Sequence, residues 1–367
     1  MTNALFITSN GFGLGHITRC MSVARRLPQG LKPIIFTLSG ALRIIKDQGF
    51  YVEYFRSRDD VLRTADPAKP SEWHRWLGER LTGVLDEYDP AVVVFDGTHP
   101  YRGMLSAFRE RPKRKFVWER RGMWRPGRGH HNITLAPAFD LVIEPGEFAG
   151  PIDKGITARQ RDGVARVEPI VFCDEEELLD REQAEREIGL AHGRKNVLIH
   201  LGQGTTNDID TPTAMCVERL RKEPDVQVVV TESTLWSRST PLPEGVGSLS
   251  AYPLSRFYRA FDFCVCASGY NTYHELIAYG IPGLYLPNVD TPLDDQVARA
   301  RYAEQMSVGR NWELPTSEDL ERCLADLLDD SKRSQMVHNL HQARSGNGAV
   351  TAARLIAELA TERGDLG

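Results

Sequence analysis

A polar turn follows an apolar run in the second half of the chain and has the composition of an anion site. The run Phe261–Ala267 predicts a buried strand, Ser268 and Gly269 end it, and Tyr270–Tyr279 has helical composition. The first turn of a helix presents unpaired backbone N–H groups and the positive end of the helix dipole. Because Gly269 has no side chain, an anion can approach this backbone closely. The stretch therefore predicts a phosphate site.

The same predicted helix carries side chains suited to the rest of a nucleotide. Asn271 and Thr272 would add hydrogen-bond donors to the phosphate site. Glu275 lies one turn after Asn271 on the same face, where a carboxylate can accept two hydrogen bonds from the vicinal diol of a ribose. After the next predicted strand, a polar loop adds three residues that would reach sugar hydroxyls: Asp294, Asp295 and Gln296. Together these groups predict a nucleotide-sugar site. The alternative is a helix whose Asn and Glu face solvent.

A glycine-rich turn with a histidine follows the first predicted strand. The segment Asn10–Cys20 reads NGFGLGHITRC and opens a helix. We exclude a dinucleotide-binding turn because His16 replaces the third glycine and Thr37–Ser39, after the second strand, lacks the acidic residue that binds a ribose. Gly13 and Gly15 would instead let bound molecules approach the backbone. A helix N-terminus disfavours imidazolium, so His16 is expected to be a neutral general base, with a structural histidine as the alternative.

A histidine base commonly needs a carboxylate that fixes its tautomer. Asp96 ends the fourth predicted strand, VVVFDG, at the sheet edge where the His16 turn lies. We therefore expect Asp96 to orient His16, with capping of the strand end as its alternative role. Three other residues are further candidates for this partner: His99, Glu119 and Asp140.

Two short motifs match metal-binding patterns, and we expect neither to bind a metal ion. Asp208–Asp210 reads DID, a formal DxD match, but it precedes a predicted helix that a carboxylate there would cap. His130 and His131 are adjacent and have no third ligand near them in the sequence. No resident cofactor is expected.

Residues 111–128, RPKRKFVWERRGMWRPGR, combine eight Lys and Arg with Trp118 and Trp124. A strand edge followed by a solvated loop would have this composition. The stretch would also suit a surface for an anionic acceptor or for acidic lipid headgroups, which attract clustered basic residues by about 1 kcal/mol each. The second interpretation predicts peripheral contact with a membrane.

The whole-chain composition is that of a globular protein with length for about two domains: 367 residues, 41% hydrophobic and 26% charged. The net charge of −5 shows no excess of basic residues of the kind that nucleic-acid-binding proteins have. Six scattered cysteines without a CxxC motif indicate a reducing compartment. The N-terminus lacks the features of a signal peptide, and no apolar run approaches the ~18 residues of a membrane span. We expect a cytoplasmic protein, and the second interpretation of residues 111–128 would place its membrane contact at the inner face.

The elements that must position these residues alternate short apolar strands with helical stretches, twice over. This alternation predicts an α/β protein with two Rossmann-like parallel sheets. Six strands are predicted in the first half: Ala4–Thr8, Pro33–Leu38, Tyr51–Phe55, Ala91–Phe95, Lys115–Trp118 and Leu141–Ile143. Five are predicted in the second half: Asn196–His200, Val226–Val230, Gly247–Leu249, Phe261–Cys266 and Gly283–Leu286. The predicted domains are 1–170 and 171–345, followed by a C-terminal helix within 346–367.

The segment Ala267–Gln296 resembles the donor signature of glycosyltransferases with the GT-B fold. In one branch that signature reads HCGWNSxxE and is followed by a DQ pair. Five positions of the signature and both of the pair match: Gly269, Tyr270, Asn271, Thr272, Glu275, Asp295 and Gln296. Ala267 replaces the first histidine, as in the peptidoglycan N-acetylglucosaminyltransferases, so one phosphate contact of that branch is missing. The His16 turn is similar to the G-x-x-GH turn of those transferases. It also resembles the GxGHxxRC segment of the nucleotide-sugar hydrolases of the pseudaminic acid pathway.

The resemblance implies two Rossmann-like domains that face a cleft, with a final helix that crosses back to the first. It implies a donor side that also includes Gly202, Gln203, Gly204 and Leu254. It places Glu119 and Arg120 on the acceptor side, together with Gly13 and Gly15. The implied reaction is metal-independent, inverting transfer from a UDP-sugar, a UDP-N-acetylhexosamine or a dTDP-sugar to a small-molecule, glycan or lipid-linked hydroxyl. The alternatives are a nucleotide-sugar hydrolase, a UDP-N-acetylglucosamine 2-epimerase and a nucleotide-sugar-binding regulator.

Overall fold

The structure, a computed structural model, describes residues 2–9, 13–62, 69–202, 204, 207–232 and 241–362. The chain divides into two compact units, each built on its own sheet. Unit 1 comprises Met1–Gly150, Lys154–Ile170 and Asn347–Gly367. Unit 2 comprises Pro151–Asp153 and Val171–Gly346.

Unit 1 contains a seven-stranded parallel sheet with the order β3-β2-β1-β4-β5-β6-β7. Its strands are β1 (Thr2–Thr8), β2 (Leu31–Thr37), β3 (Tyr51–Tyr54), β4 (Val92–Asp96), β5 (Lys115–Glu119), β6 (Leu141–Pro145) and β7 (Val164–Val167). Strand β4, with the sequence VVVFD, is buried along its whole length. Such a continuous apolar run is typical of a central parallel strand that is covered on both faces.

Unit 2 contains a six-stranded sheet, also parallel throughout, with the order β10-β9-β8-β11-β12-β13. Its strands are β8 (Lys195–His200), β9 (Val226–Thr231), β10 (Gly247–Leu249), β11 (Phe263–Cys266), β12 (Gly283–Tyr285) and β13 (Gly309–Asn311). The predicted fold class, α/β with two Rossmann-like parallel sheets, is confirmed by these two sheets.

Helices connect the parallel strands in both units. In unit 1 they are α1 (Gly15–Ala24), α2 (Leu42–Asp47), α3 (Arg58–Leu62), α4 (Pro70–Tyr88), α5 (Arg102–Arg109), α6 (His130–Ile133) and α7 (Ile156–Arg159). In unit 2 they are α8 (Arg181–Ile188), α9 (Asp210–Leu220), α10 (Tyr270–Tyr279), α11 (Gln296–Gln305), α12 (Ser317–Leu328) and α13 (Asp330–Ala343), with a 3-10 helix at Leu254–Ala260. The last helix, α14 (Gly348–Thr361), belongs to unit 1 and packs on α1.

All eleven predicted strands form, with small corrections at their ends. The strand predicted at Phe261–Cys266 begins at Phe263 because the preceding 3-10 helix extends to Ala260, and the one predicted at Gly283–Leu286 ends at Tyr285. Strands β7 and β13 were not predicted. Their sequences, VARV and GRN, are short and contain no apolar run, so periodicity gives no signal for them.

Helices α4 and α5 approach each other closely at Gly103. A Cβ atom on Gly103 would lie 1.9 Å from the carbonyl oxygen of His74 and 3.0 Å from the backbone nitrogen of Gly78. Both are backbone atoms of α4, so the clash can be removed only if α4 or α5 moves. We expect Gly103→Ala to destabilise unit 1 by roughly 1–3 kcal/mol, as overpacking does, in chemical denaturation followed by circular dichroism.

Gly83→Ala is the matched control for this substitution. No described atom lies within 4 Å of a Cβ atom at Gly83, which is also in α4. Alanine is favoured over glycine in a helix by up to about 1 kcal/mol, so this variant should be neutral or more stable. Equal destabilisation by the two substitutions would contradict the close approach at Gly103.

The two tryptophans of the basic stretch 111–128 do not contribute to its surface. Trp118 and Trp124 are 0% and 1% exposed and belong to the core of unit 1. Four of its cations are paired with carboxylates of the same unit: Arg111 with Asp86, Arg114 with Asp89, Lys115 with Glu362 and Arg120 with Glu144. None of the helices in the described residues is long and apolar enough to cross a membrane.

Candidate active site

The first cluster of predicted site residues lies at the carboxyl end of the central strands of unit 1. The register pairs Thr8 with Asp96 and Asp96 with Glu119, so the ends of β1, β4 and β5 lie side by side. His16 is the second residue of α1, which follows β1, and its side chain is 18% exposed. Its Nδ1 forms a short hydrogen bond with Oδ1 of Asp96, which is fully buried. Asp96 thereby holds Nδ1–H, and Nε2 is left as the basic atom.

Burial and charge set the protonation states of this pair. Burial lowers the pKa of His16, and the attraction of Asp96 opposes that shift without reversing it. Burial alone would raise the pKa of Asp96, but the charge of Arg19 and the hydrogen bonds from His16 and Arg19 outweigh it and lower the pKa to about 2. At pH 7 the pair is therefore a neutral imidazole beside a carboxylate, the state that a general base requires.

Two further side chains complete this cluster. Arg19, one turn after His16, donates from Nε to Oδ2 of Asp96 at 2.9 Å and from Nη2 to Oδ1. The same Nε lies 3.4 Å from Oε1 of Glu119. Sequence reasoning missed Arg19, although its i+3 spacing from His16 on one helix is a signal that could have identified it.

The four predicted acceptor-side residues differ in how they are placed. Glu119 and Arg120 are each 1% exposed, and Arg120 donates from Nη2 to Oε2 of the buried Glu144 at 3.1 Å. Neither offers much surface to a ligand. Gly13 and Gly15 are half-buried, and a Cβ atom at either would meet no described atom within 4 Å, so these glycines leave open space before α1.

The other candidate partners of His16 lie elsewhere in unit 1. The structure gives the imidazole of His99 a hydrogen bond to Asn132, with Nδ1 3.0 Å from Oδ1. The carboxylate of Asp140 accepts the backbone N–H of Phe116 at 2.7 Å. Both therefore have structural partners of their own.

The second cluster surrounds the start of α10 in unit 2. Gly269 is the N-cap of this helix and provides no side-chain acceptor for the N–H groups of its first turn. Asn271 and Thr272 lie in that turn and are half-buried. Ser268 is fully buried and donates from Oγ to the carbonyl of Gln296 at 2.8 Å, which joins this turn to the loop before α11.

That loop holds the other predicted donor residues by contacts within unit 2. Asp294 accepts a 2.7 Å hydrogen bond from Nη1 of the fully buried Arg299. Asp295 caps α11 by accepting the N–H of Ala298 at 3.1 Å. Gln296 accepts the N–H of Asn288 at 3.0 Å with its side-chain oxygen. The structure thus brings these residues to the start of α10 and gives each a structural partner.

The glycine-rich loop after β8 approaches the same place. The side chain of Asn288 donates to the side chain of Asn207 at 3.0 Å, which joins this loop to the loop before α11. Gly202 and Gly204 both have left-handed backbones, with φ of +92° and +63°, a conformation that favours glycine. Gln203 lies outside the described residues. Leu254 begins the 3-10 helix and is half-buried.

Glu275 is the most perturbed carboxyl group of this cluster. It is 7% exposed and accepts hydrogen bonds from the backbone N–H of Phe172 and the hydroxyl of Tyr258. Burial outweighs these two bonds and raises its pKa to about 8. Tyr258 and Phe172 were not predicted as site residues, and a backbone donor such as Phe172 leaves no signal in a sequence.

The raised pKa of Glu275 predicts a specific pH dependence of stability. Between pH 4.5 and about 8 the native state keeps a proton that the unfolded state releases. Stability from this group is therefore present at low pH and falls by up to about 1.4 kcal/mol per pH unit across that window. We expect the stability of Glu275→Gln relative to the wild type to increase from pH 5 to 8 and to level off above, in urea denaturation. A pH-independent difference would contradict this placement of Glu275.

The DID motif caps a helix. One carboxylate oxygen of Asp208 accepts the backbone N–H groups of Asp210 and Thr211 at 2.9 and 3.2 Å, at the start of α9. Among the described residues, no group of three or more His, Cys, Asp or Glu side chains is arranged to hold a metal ion.

Comparisons with known proteins find glycosyltransferases. No protein-family model matches the chain. An uncharacterized glycosyltransferase of Methanosarcina mazei is 20% identical over 379 residues, which span 93% of this chain and 95% of the relative. The glycosyltransferase VinC, solved in complex with dTDP, aligns with a TM-score of 0.66 and 16% identity over 99% of this chain and 100% of its own. MurG of Acinetobacter baumannii aligns with a TM-score of 0.62 and 16% identity, and the alignment covers 98% of this chain and 100% of the MurG chain.

At these identities the solved structures establish the fold. Their alignments extend over nearly the whole of both chains, so the likeness includes both parallel-sheet units. The chain therefore has the fold of the GT-B glycosyltransferases, and the resemblance predicted from its sequence is confirmed.

Proposed function

We propose that this protein is an inverting glycosyltransferase that moves a sugar from a nucleotide-sugar to an acceptor hydroxyl. The observation that carries the proposal is the hydrogen-bonded pair of His16 and Asp96 at the start of α1. A partly exposed, neutral imidazole with a buried carboxylate behind it is the arrangement of a general base.

In the proposed reaction, Nε2 of His16 takes the proton of the acceptor hydroxyl while the hydroxyl oxygen attacks the anomeric carbon. The bond from that carbon to the donor phosphate breaks on the opposite side, which inverts the anomeric configuration. The nucleoside diphosphate leaves with the bonding electron pair. General base catalysis of this kind contributes ~10²- to 10⁴-fold.

The second cluster supports a nucleoside diphosphate as the leaving group. The N-terminus of α10, with Gly269, Asn271 and Thr272, offers donors and a positive dipole end to a phosphate. Donors preorganised where negative charge develops are worth several kcal/mol. VinC, whose fold is similar, was solved with dTDP. We propose a UDP- or dTDP-sugar as the donor and a small-molecule, glycan or lipid-linked hydroxyl as the acceptor.

The proposal includes no catalytic metal ion. Helix N-terminal amides and side-chain donors take over the charge stabilisation that a divalent cation provides in other transferases. The best formal metal motif, at Asp208, is engaged in capping α9. Turnover that is unchanged by a chelator would support this part of the proposal, and turnover restored only by added Mg²⁺ or Mn²⁺ would overturn it.

A nucleotide-sugar hydrolase is the second candidate because the segment Gly13–Cys20 matches the hydrolase pattern GxGHxxRC. Water would then replace the acceptor hydroxyl at His16. Arg19 and Cys20 of that segment are 3% and 0% exposed, so both would act from behind the base and not on the substrate. Donor consumption without any acceptor distinguishes the hydrolase from the transferase.

Nucleotide binding tests the donor site without knowledge of the acceptor. In a thermal-shift panel of UDP, dTDP, GDP and their common sugar conjugates, we expect one nucleotide class to stabilise the protein. A ligand at 100 times its dissociation constant contributes about 2.7 kcal/mol. Glu275→Ala should weaken this stabilisation, whereas Glu182→Ala, an exposed glutamate of α8, should not. If none of these nucleotides raises the melting temperature of the wild type, the assignment of the donor site is wrong.

A further inference from the structure

Beneath the His16–Asp96 pair lies a buried layer of charge that base catalysis by two residues does not require. Arg19 is 3% exposed, and its guanidinium holds both carboxylate oxygens of Asp96. Glu119, on the neighbouring strand, is 1% exposed and lies against the same guanidinium, 3.4 Å from Nε. Burying ionisable side chains together is costly unless they are paired and hydrogen-bonded to one another.

We propose that Arg19 and Glu119 are positioning residues for the candidate base: Arg19 fixes the carboxylate of Asp96 with Oδ1 towards His16, and Glu119 holds Arg19 in that orientation. The proposal rests on the proposed function only in taking His16 as the base. The contacts themselves are independent of which reaction the protein catalyses.

The guanidinium determines how the carboxylate of Asp96 can turn. Nε binds Oδ2 at 2.9 Å and Nη2 binds Oδ1, a two-point contact that fixes the plane of the carboxylate. Oδ1 then keeps one lone pair for the Nδ1–H of His16. Nη2 and Nδ1 lie 3.0 Å apart because both donate to the same oxygen. A carboxylate held at one point would be free to rotate, and the tautomer of His16 would no longer be fixed.

Glu119 holds the guanidinium from the other side. The register pairs Asp96 with Glu119 on adjacent strands, so both carboxyl groups project from the same face of the sheet towards α1. Oε1 of Glu119 lies 3.4 Å from Nε of Arg19, and the carboxyl group also interacts with that of Asp96. Burial raises the pKa of Glu119 well above its usual range, and the charge of Asp96 adds to this shift. Glu119 can therefore lie beside Asp96 without strong repulsion.

Three charged groups act on His16: Asp96 at the end of β4, Arg19 on α1 and Arg121 just beyond β5. Glu119, at the end of β5, interacts with Asp96 and Arg19 behind them. Arg19 and Arg121 lower the pKa of His16, whereas Asp96 raises it. Removal of the Arg19 charge should therefore raise the pKa of His16 and, at the same time, release the orientation of Asp96.

Nitrogen NMR of the histidine side chains tests the proposal directly. The full chain, labelled with ¹⁵N-histidine, has ten imidazoles, and a His16→Gln spectrum identifies the signals of His16. In the wild type we expect a neutral imidazole with its proton fixed on Nδ1. Arg19→Met should mix the two tautomers of His16 and raise its pKa. Arg19→Lys keeps the positive charge but not the two-point contact, so it should bring the pKa back towards the wild-type value while the tautomers stay mixed. Arg25→Met, an exposed arginine at the end of α1, is the control and should change neither.

Two variants of Glu119 complete the test and cover the case in which Arg19→Met fails to fold. Glu119→Gln keeps an oxygen for Arg19 and should preserve the Nδ1 tautomer. Glu119→Leu removes that acceptor and should mix the tautomers. With turnover as a second readout, loss of position should reduce kcat about 10- to 100-fold, as loss of an orienting partner does in other sites, with little change in KM for the donor.

The outcomes separate this proposal from the proposed function. An unchanged tautomer and pKa of His16 in folded Arg19→Met, or in folded Glu119→Leu, would overturn the positioning role. If these variants alter the tautomer of His16 but the wild type transfers no sugar, the positioning role would be supported and the proposed transferase activity would be contradicted. If Arg19→Met changes the tautomer of His16 as expected but His16→Gln keeps full turnover, the positioning role of Arg19 would stand. His16 would then not be the catalytic base.

Discussion

Replacement of His16 by alanine is expected to lower kcat by roughly 10²- to 10⁴-fold, the usual contribution of a general base. Nε2 of His16 is the basic atom at the start of α1, because Nδ1 donates its proton to Asp96. The donor contacts that we propose lie in unit 2, so the dissociation constant of the nucleotide should stay within about twofold. The measurement is acceptor-dependent release of nucleoside diphosphate, with donor binding followed by calorimetry.

His99→Ala is the matched control for this substitution. His99 follows β4 by three residues, and its imidazole is hydrogen-bonded to Asn132 instead of Asp96. Because burial lowers the pKa of His16 from 6.5, the wild-type kcat/KM should increase with pH below 6.5 and be level near pH 7. An equal loss of turnover in both variants, or a wild-type profile still increasing steeply above pH 7, would contradict the assignment of His16.

Replacement of Arg299 by methionine should destabilise unit 2 by roughly 3–5 kcal/mol, as removal of one partner of a buried ion pair does. The guanidinium of Arg299 is 0% exposed, donates to Asp294 at 2.7 Å and lies near the carbonyl of Ser268. Without it, the carboxylate of Asp294 loses the charge of this guanidinium in a site where it is only 11% exposed. Chemical denaturation of the variant measures the effect.

The same helix offers a matched control in Arg301. Its guanidinium is 63% exposed and pairs with Glu313 at 2.6 Å. Exposed pairs contribute about 0–1 kcal/mol, so Arg301→Met should have a small effect. The double substitution Arg299→Met and Asp294→Asn should recover part of the stability because it removes the buried carboxylate together with its cationic partner. A loss in Arg299→Met below 1 kcal/mol would contradict the buried pair.

Much of the fold was predictable because local sequence determines it. Apolar runs such as VVVFD in β4, in a chain where short strands alternate with helical stretches, are typical of buried parallel strands. Helix α10 was predicted with its observed ends because Gly280, with φ of +77°, stops it before Pro282. The short strands β7 and β13 were missed because they gain their stability from neighbouring strands and not from their own residues.

The candidate site was predictable in part for the same reason. His16 and Asp96 follow successive central strands, and the carboxyl ends of parallel strands meet at one edge. The contacts that hold them are not local. Arg19 and Glu119 are 100 residues apart, and no pattern of charge in the sequence shows that one guanidinium lies against both Asp96 and Glu119.

Burial was the other property that composition could not reveal. Trp118 is a core residue, although it lies in the most basic stretch of the chain. Glu275 and Asp294 are nearly buried, and Glu275 has partners, Phe172 and Tyr258, that come from other segments of the chain. Whether a carboxyl group is buried and bonded to other parts of the protein depends on the tertiary structure, so it cannot be read from the sequence.

Release of nucleoside diphosphate, measured with and without acceptors and with NMR of the sugar product, tests most directly whether the protein transfers sugar. The donor is the nucleotide-sugar that thermal shift identifies, and the acceptors are panels of hydroxylated small molecules, glycans and lipid-linked sugars. We expect release to depend on an acceptor, to yield a product of inverted anomeric configuration, and to be lost in His16→Ala. Release at the same rate in water alone, or an epimerised donor with its nucleotide still attached, would contradict the transferase.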